Sequence, residues 1–249
     1  KHLSLPFLGG GGRFQQLEYT LKGGGVESYK TMFMVSGFRY VKLFDWPCAV
    51  KAEDFSAIAV YSDMPETASF ECSNPLVTQL FQNTLWSQKG NFLDVPTDCP
   101  TRERGGWSGD AQIFVRTGTY LMDTAAFFHK WLKEMAVQQG PDGIVPNLIP
   151  AVAGADNQFE AGVMGSAGWG DAAVIIPWTM WKMTGDTRFL ENNWEMMKKW
   201  VDYEVRHAKD TNPLREPIDN PYAEYTWDTC FHFGEWLEAD SPMGFPPIL

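Results

Sequence analysis

The sequence predicts a mainly α fold with a smaller β part at its N-terminal end. Three observations predict it. Before about residue 70, short runs rich in β-branched and aromatic residues alternate with glycine clusters. After residue 70, apolar residues recur at helical spacing. Charge and tryptophan change at the same place: residues 1–70 hold seven basic and seven acidic residues and Trp46, whereas residues 71–249 hold 13 basic, 24 acidic and ten tryptophans. The whole net charge of −11 on 249 residues therefore belongs to the second part.

In the first part, the clusters 9–12 and 23–25 are glycine turns. Strands are expected at 14–21, 29–35, 38–44 and 57–61, paired antiparallel as part of a sandwich. In the second part, Asn74 is a candidate N-cap, followed by Leu76, Val77, Leu80, Phe81 and Leu85 on one helical face. Further helices are expected at 110–122, 124–139, 171–184 and 187–209, with Gly140-Pro141 and Gly185-Asp186 as stops. Irregular stretches remain at 90–109, 140–170 and 210–235. Loops of that length inside a helical domain usually carry function.

Composition excludes several classes. Hydrophobic residues are 44% and charged residues 20%, which is globular rather than disordered. The acidic balance disfavours nucleic acid and anionic membrane surfaces as partners. No apolar run is long enough to span a bilayer. Four scattered cysteines form neither a disulfide framework nor a zinc site, and are expected to be buried hydrophobes. No calcium-loop pattern occurs, so no metal or other cofactor is expected. Localisation stays open, because the chain begins at Lys1 without an initiator Met or a signal segment.

The strongest chemical signal is the stretch 94–112. Asp98, Glu103 and Asp110 lie there with Arg102, Arg104 and Trp107 between them, on a backbone bent by two prolines and three glycines. A sugar-cleaving site needs a carboxylic acid for the leaving oxygen, carboxylates for ring hydroxyls, and an aromatic face for the C–H side of the ring. Like charges near Glu103 raise its pKa, as a general acid requires, while Arg102 and Arg104 oppose them. The same residues could instead form a structural ion-pair network. The residues alone leave both readings open.

The segment Asp98-Cys-Pro-Thr-Arg-Glu-Arg-Gly-Gly-Trp-Ser-Gly-Asp110-Ala-Gln resembles the signature of bacterial α-L-rhamnosidases of glycoside hydrolase family 78. The resemblance extends to 19–27 and 37–41, which look like the preceding β-sandwich. It also takes in 86–91, 168–178 and 232–237, which look like parts of an (α/α)6 six-hairpin barrel. It implies an inverting glycosidase acting on a rhamnose-containing glycoside or oligosaccharide. By the motif, Glu103 corresponds to the general acid, and Asp98 and Asp110 to carboxylates on the rhamnose hydroxyls. Arg102 or Arg104, and Trp107, match positions lining the same subsite, and Trp169 and Trp236 resemble aromatic walls for the C6 methyl. In the family the general base is a later Glu, and Glu235 and Glu238 are not assigned that role.

A six-hairpin barrel needs about twelve helices, and residues 71–249 supply about half. The expected division is therefore 1–70 as the C-terminal part of a β-sandwich and 71–249 as the N-terminal half of the barrel. Such a chain is either part of a hydrolase or a rhamnose-binding or inactive module lacking the base. Other residues keep two readings. Asp171 is a helix cap or a sugar ligand. His232 is a structural or a site histidine. Trp178, Trp181, Trp194 and Trp200 are expected in the core.

Overall fold

The computed structural model describes residues 16–151, 164–210, 222, 225–227, 229 and 232–234. Helix α1 (Pro75–Asn91) starts where Asn74 Oδ1 accepts the Leu76 N–H at 3.0 Å, with Pro at the first helical position. That cap is worth about 1 kcal/mol. A short hairpin follows, β1 (Phe92–Leu93) against β2 (Val95–Pro96), pairing Phe92 with Pro96. Asp94 turns it with φ 67°, a conformation that Asp tolerates better than most residues.

Helices α2 (Ser108–Leu121) and α3 (Ala125–Gln138) form next, then α4 (Ala172–Thr184), α5 (Arg188–Glu191) and α6 (Trp194–His207). Gly185 ends α4 in the left-handed conformation at φ 73°. The single helix expected over 187–209 is two. Asn193 Nδ2 donates to the Phe189 carbonyl at 2.8 Å, and this local side-chain bond competes with helix continuation.

The core lies between these helices. Trp131, Trp200, Phe128 and Phe189 are wholly buried, and Phe92 stacks on Phe127 at 4.7 Å between ring centroids. Gln88 Nε2 of α1 donates to the Gly118 carbonyl of α2 at 3.1 Å, and α2 packs along α4. Of the four tryptophans expected in the core, Trp200 is buried and Trp181 packs at its edge. Trp178 and Trp194 are exposed, because each sits on the outer side of its helix. Cys48 and Cys72 are exposed and Cys99 half-buried, which corrects the expectation of buried thiols; Cys230 lies outside the described residues.

The strands expected within 16–61 do not pair with one another among the described residues. A strand exists only through a neighbour that takes its N–H and C=O groups. Val26, Met32, Phe33 and Tyr40 of this segment are exposed, so these apolar side chains are not buried among the described residues. The remainder of that expectation, at 14–15, lies outside the described residues. Among the described residues, no helix is long and apolar enough to cross a membrane.

Candidate active site

The candidate site is built at the start of α2. The loop before it is closed by Asp98 and Gly105. The Asp98 N–H donates to the Gly105 carbonyl at 3.1 Å, and Asp98 Oδ1 accepts the Gly105 N–H at 3.1 Å. Inside this closure, the Glu103 N–H donates to Cys99 Sγ at 3.3 Å. Arg104 takes φ 53°, and its Nη1 donates to the Val35 carbonyl at 3.0 Å. The Gly37 N–H donates to the Pro100 carbonyl at 3.0 Å. The N-terminal segment thus touches the loop at two points.

A second loop fixes the other side. The Ile149 N–H donates to the Gly106 carbonyl at 2.8 Å, and a Cβ on Gly106 would lie 1.9 Å from the Ile149 oxygen. Only glycine permits that approach. Trp131 Nε1 donates to the same Ile149 oxygen at 3.1 Å, and Ser108 holds the Asn147 carbonyl through its N–H and its hydroxyl. A pocket of about 270 Å3 opens here, lined by Glu103, Arg104, Gly106, Leu148 and Pro150 among others.

The carboxylates perturb each other. Burial raises the Glu103 pKa, the Asp98 charge adds to the rise, and Asp110 adds further. The indole of Trp107 and the charge of Arg102 oppose it. Trp107 Nε1 is buried and makes no hydrogen bond of normal geometry. Asp110 stands in the first turn of α2, where the helix dipole and its own N–H favour the anion. Burial and the Asp98 charge outweigh these and push it up to about 6. The Asp110 side chain itself remains exposed to solvent.

The aromatic wall lies beside α2. Gly109 faces the Trp169 ring, and a Cβ there would come within 2.7 Å of it. Trp169 lies 4.2 Å from Phe233, and Phe233 meets Trp107 edge-on at 5.9 Å. With Leu148 these three form a small apolar cluster apart from the main core. His232 is buried: its Nδ1 accepts the Ala167 N–H at 3.2 Å and its Nε2 reaches the Thr229 carbonyl at 3.0 Å. Both ring nitrogens therefore meet backbone. Asp171 makes no cap bond at α4; its Oδ2 accepts the Gly168 N–H at 2.8 Å and its Oδ1 the Trp200 Nε1–H at 3.0 Å.

Among the site residues expected from sequence, the structure brings Asp98, Glu103, Asp110, Arg102 and Trp107 into mutual influence, and sets Trp169 against the start of α2. Arg104 reaches the N-terminal segment as well as the pocket. Trp236, Glu235 and Glu238 lie outside the described residues. Sequence reasoning missed Cys99, Leu148, Gln112 and Phe233. Cys99 and Gln112 stand inside the 94–112 stretch and Phe233 beside His232, but an apolar or amide side chain carries no chemical signal of its own. Among the described residues, no group of side chains is arranged to hold a metal ion. A larger pocket of about 540 Å3 lies at the start of α3, but His129, Lys130 and Arg188 there are paired with Asp186, Asp94 and Glu134.

The family model of the bacterial alpha-L-rhamnosidase six-hairpin glycosidase domain matches residues 65–245, and that of the bacterial alpha-L-rhamnosidase concanavalin-like domain matches residues 11–61. An alpha-L-rhamnosidase of Streptomyces avermitilis is 36% identical over 222 residues, 89% of this chain and 19% of that protein. One of Alteromonas sp. strain LOR is 38% identical over 217 residues, 86% of this chain and 21% of that protein. The crystal structure of the Streptomyces avermitilis alpha-L-rhamnosidase complexed with L-rhamnose matches with a TM-score of 0.60 and 33% identity, over 76% of this chain and 16% of that one. The native rhamnosidase of Aspergillus terreus matches with a TM-score of 0.60 and 38% identity, over 75% of this chain and 20% of that one. The chain spans about a fifth of the length of the curated relatives it matches. The mainly helical fold agrees with the six-hairpin domain match, and the chain belongs to the bacterial alpha-L-rhamnosidase family.

Proposed function

We propose that this chain supplies the acid side of an active site that hydrolyses terminal α-L-rhamnosyl residues with inversion. Residues 1–70 are then the C-terminal part of a β-sandwich, and residues 71–249 the N-terminal half of the six-hairpin barrel. Glu103 is the general acid, protonating the glycosidic oxygen as the bond breaks. Asp98 and Asp110 accept hydrogen bonds from the sugar hydroxyls, with Arg102, Arg104 and Trp107 lining the same subsite. Trp169 and Trp236 face the C6 methyl. The reaction also needs a second carboxylate about 6.5–9.5 Å from the acid, with room for a water between. That base is not assigned here.

One observation carries the reading: Glu103 sits at a pocket with its pKa raised by burial and by Asp98 and Asp110. Burial and two neighbouring anions shift this carboxyl toward the protonated form that a general acid requires. A purely structural network would pair Arg102 and Arg104 with these carboxylates. Among the described residues neither arginine makes an ion pair with them, and Arg104 bonds to a backbone carbonyl instead. The test is Glu103→Gln in the whole protein that carries this sequence. Turnover of an aryl α-L-rhamnoside is expected to fall at least ~100-fold with the protein still folded. Near-wild-type turnover would reject Glu103 as the acid. Rhamnose binding without any hydrolysis by the wild type would instead support the binding-module reading.

A further inference from the structure

Trp169 owes its place to Gly168, the residue before it, which stands at φ 82°. Both backbone polar groups of Gly168 are taken by side chains. Its N–H donates to Asp171 Oδ2 at 2.8 Å, and its carbonyl accepts Gln112 Nε2–H at 3.0 Å. Gln112 lies on α2, two residues after Asp110, so the same helix that carries the sugar-facing carboxylate reaches across to hold the wall. Asp171 is anchored in turn by Trp200 Nε1 at 3.0 Å, and the Trp200 ring lies so close to Gly170 that a Cβ there would meet it at 2.3 Å. Glu204 of α6 lies close enough to Asp171 for the two carboxyls to interact. Backbone bonds from Trp169 and Gly170 to the Ser166 carbonyl close the turn from below.

We infer that Gln112 and Asp171 are positioning residues that clamp Gly168, fix the Trp169 ring against Gly109, and so set the preference for a 6-deoxy sugar. This rests on the proposed rhamnosidase site. Neither residue touches the reacting bond. The clamp fixes the distance between Asp110, which holds hydroxyls, and Trp169, which faces the methyl. A wall held at that distance accepts a methyl group and crowds a hydroxymethyl group. A wall free to retreat accepts both. Discrimination by one such group in an apolar pocket is worth roughly 10- to 200-fold, so that is the range the clamp controls.

The experiment compares aryl α-L-rhamnoside with aryl α-L-mannoside, its 6-hydroxy counterpart, in the whole protein that carries this sequence. Gln112→Met keeps the side-chain length and removes the donor; Asp171→Asn keeps the shape and removes one acceptor. Gln112 is half-buried and lies outside the main core, so Gln112→Met decides the matter if Asp171→Asn fails to fold. Expected for Gln112→Met are a KM for the rhamnoside raised roughly tenfold with kcat largely kept, a smaller rhamnoside-to-mannoside ratio, and an unchanged melting temperature. A loss in kcat at constant KM, or an unchanged sugar ratio, would overturn the clamp while leaving the rhamnosidase reading intact. A wild-type protein that neither binds nor hydrolyses the rhamnoside would overturn that reading, and this inference with it.

Discussion

Asp98 and Gly105 exchange two hydrogen bonds of 3.1 Å across the loop that carries Glu103. Asp98 therefore does two things at once. It closes the loop through its backbone and one carboxylate oxygen, and its charge raises the Glu103 pKa. The two roles separate in Asp98→Asn, which keeps an acceptor oxygen and loses the charge. The Glu103 pKa should then fall. A general acid works only below its pKa, so the alkaline limb of kcat/KM should move to lower pH. The shift should exceed that in Asp110→Asn, because Asp98 is the stronger of the two influences on Glu103. pH–rate profiles of the two variants on an aryl rhamnoside check the order.

Asp110 titrates at about 6, raised by burial and by Asp98. Gripping hydroxyls calls for the ionised form, which exists above that pH. Rhamnose affinity should therefore weaken as pH falls through about 6. Calorimetric titration at pH 5 and 7.5 measures it. Asp110→Asn should bind weakly at both, and a wild type equally tight at both would contradict the assignment.

Gly106 is fixed by a contact between two backbones. An added Cβ would fall 1.9 Å from the Ile149 oxygen, which also holds Trp131 Nε1. Neither chain can yield without breaking the Ile149–Gly106 bond at 2.8 Å. Gly106→Ala should cost about 3 kcal/mol. Thermal unfolding should show a drop of several degrees or an insoluble protein. A melting temperature within a degree of wild type would show that the 145–150 stretch moves freely.

Glu204 is pushed up to about 8 by burial first and then by its hydrogen bond and proximity to Asp171. The sign follows from linkage. Between the ordinary Glu value of 4.5 and about 8 the unfolded chain is ionised there and the folded chain is protonated. Stability from this group is full below pH 4.5 and is lost as pH rises through 8. Glu204 is partly exposed, so solvent reduces the effect to on the order of 1–2 kcal/mol. Glu204→Gln keeps a donor to Asp171 and cannot ionise. Its melting temperature should decline less between pH 5 and 8.5 than that of the wild type. Parallel declines would place no shared proton between Asp171 and Glu204.

The sequence by itself determined the helical second part, its Asn74 and Gly185 boundaries, and the carboxylate stretch 94–112. Those features are local: apolar periodicity, capping chemistry, and motif residues close together in the chain. The β reading of 16–61 was not realised as paired strands, because a strand is a relation between two segments and propensity describes only one. The break of the last long helix at Asn193 depended on one side chain choosing the Phe189 carbonyl. Only the tertiary structure decided what Asp171, His232 and Cys99 do. Asp171 and His232 held two readings in the chain and Cys99 one, and the partner each meets is not visible in local spacing: Gly168 three residues away along a turn, Ala167 sixty-five residues before, and the Glu103 N–H four residues on. The electrostatics of Glu103 followed the same rule. Along the chain the cations Arg102 and Arg104 are nearer to Glu103 than the anions Asp98 and Asp110, yet the fold turned Arg104 toward Val35 and left the two anions to outweigh Arg102 at the acid. Charge effects fall with distance through space, and spacing along a bent loop does not report that distance.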